Sequence, residues 1–215
     1  MGFKRKLGAG ITGVLLWASL AGAQSDDAAI KVMVLDSAGI PSAVLAKAEA
    51  EAERIFRKSE IEIHWVNCLK KGEKESCHHA PGANEFMLHI VPDGKTGSDL
   101  VFGEAFMGED GSGKYADIFF KRVLAASETP ELNTAQLLGA VTAHELGHLL
   151  LGSRSHSSMG IMEPVWKKEC LLRIWMGSLL FTREQAQAMQ RRVDTLVPSV
   201  MAGQGPYHQE FEPGR

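Results

Sequence analysis

The sequence predicts a single α/β domain with a mostly parallel, twisted sheet and a long buried helix. Three observations lead there. Residues 30–66 read as strand, helix, strand, the opening of a βαβ unit. Three later runs, 86–91, 100–107 and 116–120, have strand-like composition. From Ala135 onward a small, apolar helical stretch leads into His144-Glu145-Leu146-Gly147-His148.

The first 23 residues are expected to lie outside this domain. Lys4, Arg5 and Lys6 precede an apolar run with glycines over 7–20, and Ala21-Gly22-Ala23 is a small-x-small cleavage site. This is the pattern of a secretory signal peptide. The run is short for a membrane span, and no cysteine follows it to carry a lipid, so the chain reads as exported (periplasmic or extracellular) without stable membrane insertion. Three positive charges and no negative ones leave with the leader, which moves the formal charge from −3 to −6. A mildly acidic surface argues against nucleic acid as partner. About 190 residues remain, enough for one domain with a real core. The domain is placed at 24–197. From Pro198 to Arg215 the chain is glycine, proline and polar residues, and is expected to be an unstructured tail.

Within the domain, residues 30–35 alternate as a strand and Asp36-Ser37-Ala38-Gly39 makes a turn. A helix starts at Pro41-Ser42, with Val44, Leu45, Ala48, Ala52, Ile55 and Phe56 along one face. Residues 61–66 form the second strand, and His64 on it reads as structural. Cys68 and Cys77 flank a polar loop. In an exported protein they read as a disulfide closing a small loop, worth about 2–3 kcal/mol in the chain-entropy model. The alternative is a metal cluster of Cys68, Cys77, His78 and His79, which lacks a C-x₂-C ligand pair. Cys170 is left over, and is expected to be buried and inert.

The third strand, 86–91, ends at Pro92-Asp93-Gly94. The fourth, 100–107, is interrupted by Gly103. A glycine-rich loop over 108–113 follows, and it has no Lys-Ser/Thr ending that would suit a phosphate. The fifth strand is 116–120. Residues 128–133 break the chain before the central helix, which Asn133 or Thr134 caps. Residues 166–180 are mixed apolar and basic and suggest no definite element. Thr182, with Gln185 three residues on, opens a last helix whose apolar face is Ala186, Met189 and Val193.

The chemistry concentrates at 144–148. Histidines four apart share a helix face, with Cβ atoms about 5–6 Å apart. They can therefore bind one zinc at Zn–N distances of about 2.0–2.1 Å. The glutamate after the first histidine is not a ligand in such sites. It stands beside the metal and takes the proton from a bound water. Alone, the pentapeptide is also compatible with a helix face carrying two satisfied histidines.

Gly152, His156 and Met162 follow it in order, and with them residues 144–164 resemble the metzincin zinc proteases. The run from His156-Ser157-Ser158 to Ile161-Met162-Glu163-Pro164 is similar to the matrix metalloproteinases. The resemblance implies a metzincin fold with an active-site helix, a Met-turn at Met162 and a C-terminal helix. It implies a zinc-dependent endopeptidase acting on peptides or proteins, with His144, His148 and His156 as ligands and Glu145 as general base. The spacing departs from the family: the gaps to Gly152 and then to His156 are four residues each, where three are usual. A glycine with φ > 0 can end the helix and turn the chain back, and four residues span at most about 13–14 Å, so His156 is within reach. Glu163 is the rival third ligand. Pro164 stands where some metzincins have a tyrosine.

Residues Ala105-Phe106, the glycine loop and Asp117-Ile118-x-Phe120 resemble the matrix metalloproteinase stretch before the active-site helix, where an edge strand holds extended substrate. That family's structural zinc and calcium sites are not expected, because the histidine for such a zinc is missing. Asp110 and Asp117 read as loop and turn residues. The short gap between Gln24 and the first strand leaves no room for an inhibitory propeptide. The competing function is a zinc-bearing binding or scaffold protein with a degenerate site, which would have no use for Glu145.

Overall fold

A computed structural model describes residues 29–68, 77, 79–95, 98, 100–128 and 132–197. The expected signal peptide, tail and His78 lie outside these residues. Strand β1 (Ile30–Asp36) pairs in parallel with β2 (Ile63–Asn67), Ile30 opposite Ile63, and α1 (Ser42–Arg57) makes the crossover. On the other side β1 pairs in parallel with β3 (Glu85–Val91). Outside that, β5 (Gly113–Phe119) is parallel to β3, and β4 (Gly103–Met107) is an antiparallel edge strand on β5. The sheet order is β2-β1-β3-β5-β4.

Alternation decides which side chains go where. Val32 and Val34, Phe86, Leu88 and Ile90, and Ala116 and Ile118 are buried in one cluster with Ala48 and Ile55 of α1 and with the apolar residues of α3 (Thr134–Leu151). Both long helices cover this face. Burying each Val, Leu, Ile or Phe contributes about 1.5–3 kcal/mol. On the opposite face Met33, Val66 and Cys68 form a smaller cluster, with Cys77 packed against it. Cys68 and Cys77 are joined there, Cα–Cα 5.6 Å. His79 bonds Glu85 at 2.9 Å. The two sulfurs and this imidazole therefore serve structure, and the alternative metal cluster does not form among the described residues.

The turn after β1 is held by Asp36, whose carboxylate accepts the N–H groups of Ala38, Gly39 and Ile40 at 2.8–3.0 Å. His64 is exposed on β2. β5 starts at Gly113, inside the glycine-rich stretch, and runs straight into a short helix α2 (Phe120–Ala126). Asp110 is a loop residue, accepting the Ser112 amide and hydroxyl. Asp117 lies within β5, 3.7 Å from His89. A further helix, α4 (Lys168–Trp175), occupies the stretch to which the sequence assigned no element; it buries Cys170 and Ile174 and leaves Leu172 and Trp175 exposed. α5 (Arg183–Leu196) opens with the expected capping box of Thr182 and Gln185. Among the described residues, no helix is long and apolar enough to cross a membrane.

Candidate metal centre

The site is built on α3. Asn133 caps its start, its side chain accepting the Ala135 N–H at 2.8 Å. Fifteen of its 18 residues are buried, so the helix runs through the core and carries His144, Glu145 and His148 to the floor of a cleft. Gly152 ends it in the left-handed region, φ 62°, with its N–H on the His148 carbonyl. The reversed chain then places Ser153 O 2.8 Å from His148 Nδ1. His144 Nδ1 lies 2.7 Å from Ile161 O, one residue before Met162.

A carbonyl oxygen only accepts, so both Nδ1 atoms carry the proton and donate. Burial pushes the His144 pKa down to about 3, and that of His148 downward too, so both rings are neutral near pH 7. Their Nε2 atoms therefore both present lone pairs, 3.1 Å apart. Two lone pairs cannot hydrogen-bond each other; they call for a cation between them. Two nitrogens on a tetrahedral zinc stand about 3.3 Å apart for Zn–N bonds of about 2.0–2.1 Å. The donor set thus fits zinc.

His156 joins them. One ligand atom from each of His144, His148 and His156 lies within 4.8 Å of the others, and its ring centroid is 4.8 Å from that of His148. No hydrogen-bond partner occupies the His156 ring among the described residues, and its pKa too is lowered by burial. The extra residues of the altered spacing form the turn through Ser153-Arg154-Ser155. Glu163 is not in the group. Its carboxylate faces α4, accepting from Cys170 Sγ at 3.3 Å and lying 3.5 Å from Arg173 Nη1. Burial and that carboxylate raise the Cys170 thiol pKa, which keeps the sulfur protonated and unreactive.

Met162 is fully buried beneath the site. A β-carbon on Gly147 would stand 2.8 Å from its Sδ, so the glycine inside the pentapeptide lets the turn pack against the helix. Trp166 stands edge-on to His144, ring centroids 5.5 Å apart, and its Nε1–H shares the Ile161 carbonyl at 3.3 Å.

Glu145 is 5 % exposed, and among the described residues no donor reaches its carboxylate. Burial, with a smaller contribution from the charge of Glu104, pushes its pKa up to about 8; a cation bound by the neighbouring histidines would lower it again. Gly103 of β4 makes room for it, since a β-carbon there would be 2.7 Å from Oε1. Gly103, Trp166 and Arg154 all border the cleft and were not singled out as site residues from the sequence. The interruption of a strand pattern by Gly103 was the available signal for the first.

The cleft has a volume of about 620 Å³ and lies between β4 and the segment after Met162, within the range of small-ligand and peptide sites. Its lining includes the apolar Phe102, Val141 and Trp166, with the Phe102 and Trp166 rings 6.2 Å apart, and Arg154, which donates to the Met107 carbonyl.

No family model and no curated protein matches the sequence. Solved structures do. Archaemetzincin from Methanopyrus kandleri is similar with a TM-score of 0.51 and 20% identity, over 80% of this chain and 99% of that one. A zinc-dependent peptidase from Methanocorpusculum labreanum (strain Z) is similar with a TM-score of 0.50 and 14% identity, over 74% and 99%. At such identities the likeness is one of fold: the mixed α/β architecture of this chain is archaemetzincin-like. The narrower resemblance to matrix metalloproteinases rests on the sequence alone.

Proposed function

We propose that the protein is a zinc-dependent peptidase of metzincin type, acting on peptides or proteins after export. One observation carries the reading. Three imidazoles converge, two with their lone pairs facing each other, next to the buried Glu145 carboxylate, which no donor among the described residues satisfies. A structural zinc site has no need of that carboxylate. The archaemetzincin-like fold and the peptidase named among the similar structures support the same reading.

His144, His148 and His156 would hold the metal. The chemistry zinc supplies at such a site is a water whose pKa falls to about 7 and polarisation of a substrate carbonyl. The Ile161 and Ser153 carbonyls fix the tautomer and direction of the two helix imidazoles. Glu145 takes the proton of the attacking water and passes it to the leaving amine. The outward edge of β4 binds substrate main chain by strand addition, as the matrix metalloproteinase resemblance suggests. The Cys68–Cys77 bond and the leader-like first 23 residues support export.

Metal analysis combined with hydrolysis of a mixed peptide library tests this. Wild type should hold one zinc and cleave peptides. Glu145→Gln should keep the zinc and lose about 10²–10⁴-fold in turnover. A zinc-loaded wild type that cleaves nothing would instead establish the scaffold reading.

A further inference from the structure

The edge of β4 is not uniformly open. Phe119 N–H donates to Phe102 O at 2.8 Å, and Gly108 N–H to Ser112 O at 2.7 Å. In an antiparallel pair, hydrogen-bonded and non-hydrogen-bonded positions alternate. Residues 102, 104, 106 and 108 therefore turn their main-chain groups toward β5, and Gly103, Ala105 and Met107 turn theirs to the cleft. A strand added there finds free acceptors at Gly103 and Ala105. At Met107 it does not, because Arg154 Nη2 already donates to the Met107 carbonyl.

Arg154 thus closes the β4 edge at Met107. Its side chain comes from the turn that accommodates the four-residue spacing, and it lines the cleft. The carbonyl uses one of its five N–H donors. Among the described residues no carboxylate pairs with it. The acids that border the cleft are committed elsewhere or face elsewhere: Glu163 turns to Cys170 and Arg173, Glu145 lies under Gly103, and Glu104 projects from the sheet face opposite Gly103 by strand alternation. A guanidinium held at one edge, with its remaining donors at the cleft, matches a planar carboxylate in two-pronged geometry.

Resting on the peptidase reading above, we infer that Arg154 is a specificity-determining residue that binds a carboxylate of the substrate where the added strand meets Met107. Two sources share this chemistry: an Asp or Glu side chain, and the free carboxyl terminus of a peptide chain.

Four matched, end-labelled peptide pools separate them: Asp or Asn at the varied positions, each with a free or amidated C-terminus. Binding is read by fluorescence anisotropy on metal-free and zinc-loaded protein, and kcat/KM on the zinc-loaded protein. A carboxylate should improve binding and kcat/KM by about two- to fivefold, the range for an exposed ion pair. The preference should shrink at high salt. It should fall to unity in Arg154→Gln and turn against acidic pools in Arg154→Glu. A preference following Asp assigns the side-chain source, and one following the free terminus assigns the chain end. Zinc content of each variant reports whether the His148–His156 turn survives, and Arg154→Lys, which keeps the charge and loses the fork, should retain part of the preference. If wild type binds all four pools equally, or the preference persists in Arg154→Gln, the inference fails. Because anisotropy needs no turnover, wild type that prefers carboxylate pools but cleaves none would overturn the peptidase reading and leave this site standing.

Discussion

The missing side chain of Gly103 decides where Glu145 can sit. A β-carbon there would approach Glu145 Oε1 and Cγ at 2.7 and 2.8 Å, and also the Asp117 carbonyl at 2.8 Å. The carboxylate could swing away, but the backbone oxygen cannot. Gly103→Ala should therefore displace the Glu145 carboxylate and strain the β4–β5 edge while leaving the histidines in place. Misplacing a reacting group by about 1 Å can cost about 10²-fold, so turnover should fall by that order with zinc content unchanged. Equal turnover would mean that Glu145 does not depend on this contact. The third ligand is testable in the same way. His156→Ala removes one of three converging imidazoles, whereas Glu163→Ala removes a partner of Cys170 and Arg173. Metal titration should show a large loss of zinc affinity for the first and almost none for the second; the reverse result would exchange their roles.

At the scale of elements, the site depends on how closely α3 approaches its neighbours. A β-carbon on Gly139 would meet Ala48 O of α1 at 2.6 Å and Glu51 Cβ at 2.7 Å. Gly139→Ala gains helix propensity but forces the two helices apart. Overpacking of this kind costs about 1–3 kcal/mol, more than the propensity gain of about 1 kcal/mol. Thermal unfolding of the metal-free protein should show a lower Tm for the variant; a higher Tm would mean that the helix pair yields without cost. At the other end of α3, the glycine-rich loop has a packing role. A β-carbon on Gly111 would stand 2.5 Å from Gly152 O, so this loop lies directly on the turn that sends the chain back toward His156.

At the scale of the whole molecule, charge ties the first strand to the third. Glu85 accepts from Lys31 at 2.8 Å, from the Gly82 amide at 2.9 Å and from His79. These hydrogen bonds, Lys31 foremost, lower its pKa to about 2. The unfolded carboxyl titrates near 4.5, so between the two values the unfolded state binds more protons. The resulting stability is present above about pH 4.5 and is lost as pH falls from there toward 2. Glu85→Gln should lower stability at neutral pH and flatten the acid limb, as read by urea unfolding from pH 6 to 3. An unchanged acid limb would place the acid sensitivity in other carboxylates.

Much of this was legible in the chain because its causes are local. Alternation marked the first two strands, and apolar runs marked the other three, although β4 and β5 begin three residues away from where the runs do. Thr182 with Gln185, and Asn133 before the long helix, marked their caps. Two histidines one turn apart and a glycine after the helix fix a pair of converging side chains and a reversal. α2 and α4 were not legible: each is only one or two turns long, and in α4 the basic residues obscure the period that Cys170 and Ile174 would show. Nothing in sequence distance could choose His156 over Glu163, because both lie within reach of the helix. The fold turns the Glu163 carboxylate toward α4 and packs Met162 under Gly147, and it gathers His156 with His144 and His148. The cleft was equally out of reach of sequence reasoning. Gly103 and Arg154 lie 42 and 9 residues from Glu145 along the chain, and they border one space with it because an antiparallel edge strand closes a parallel sheet beside the helix that carries the histidines.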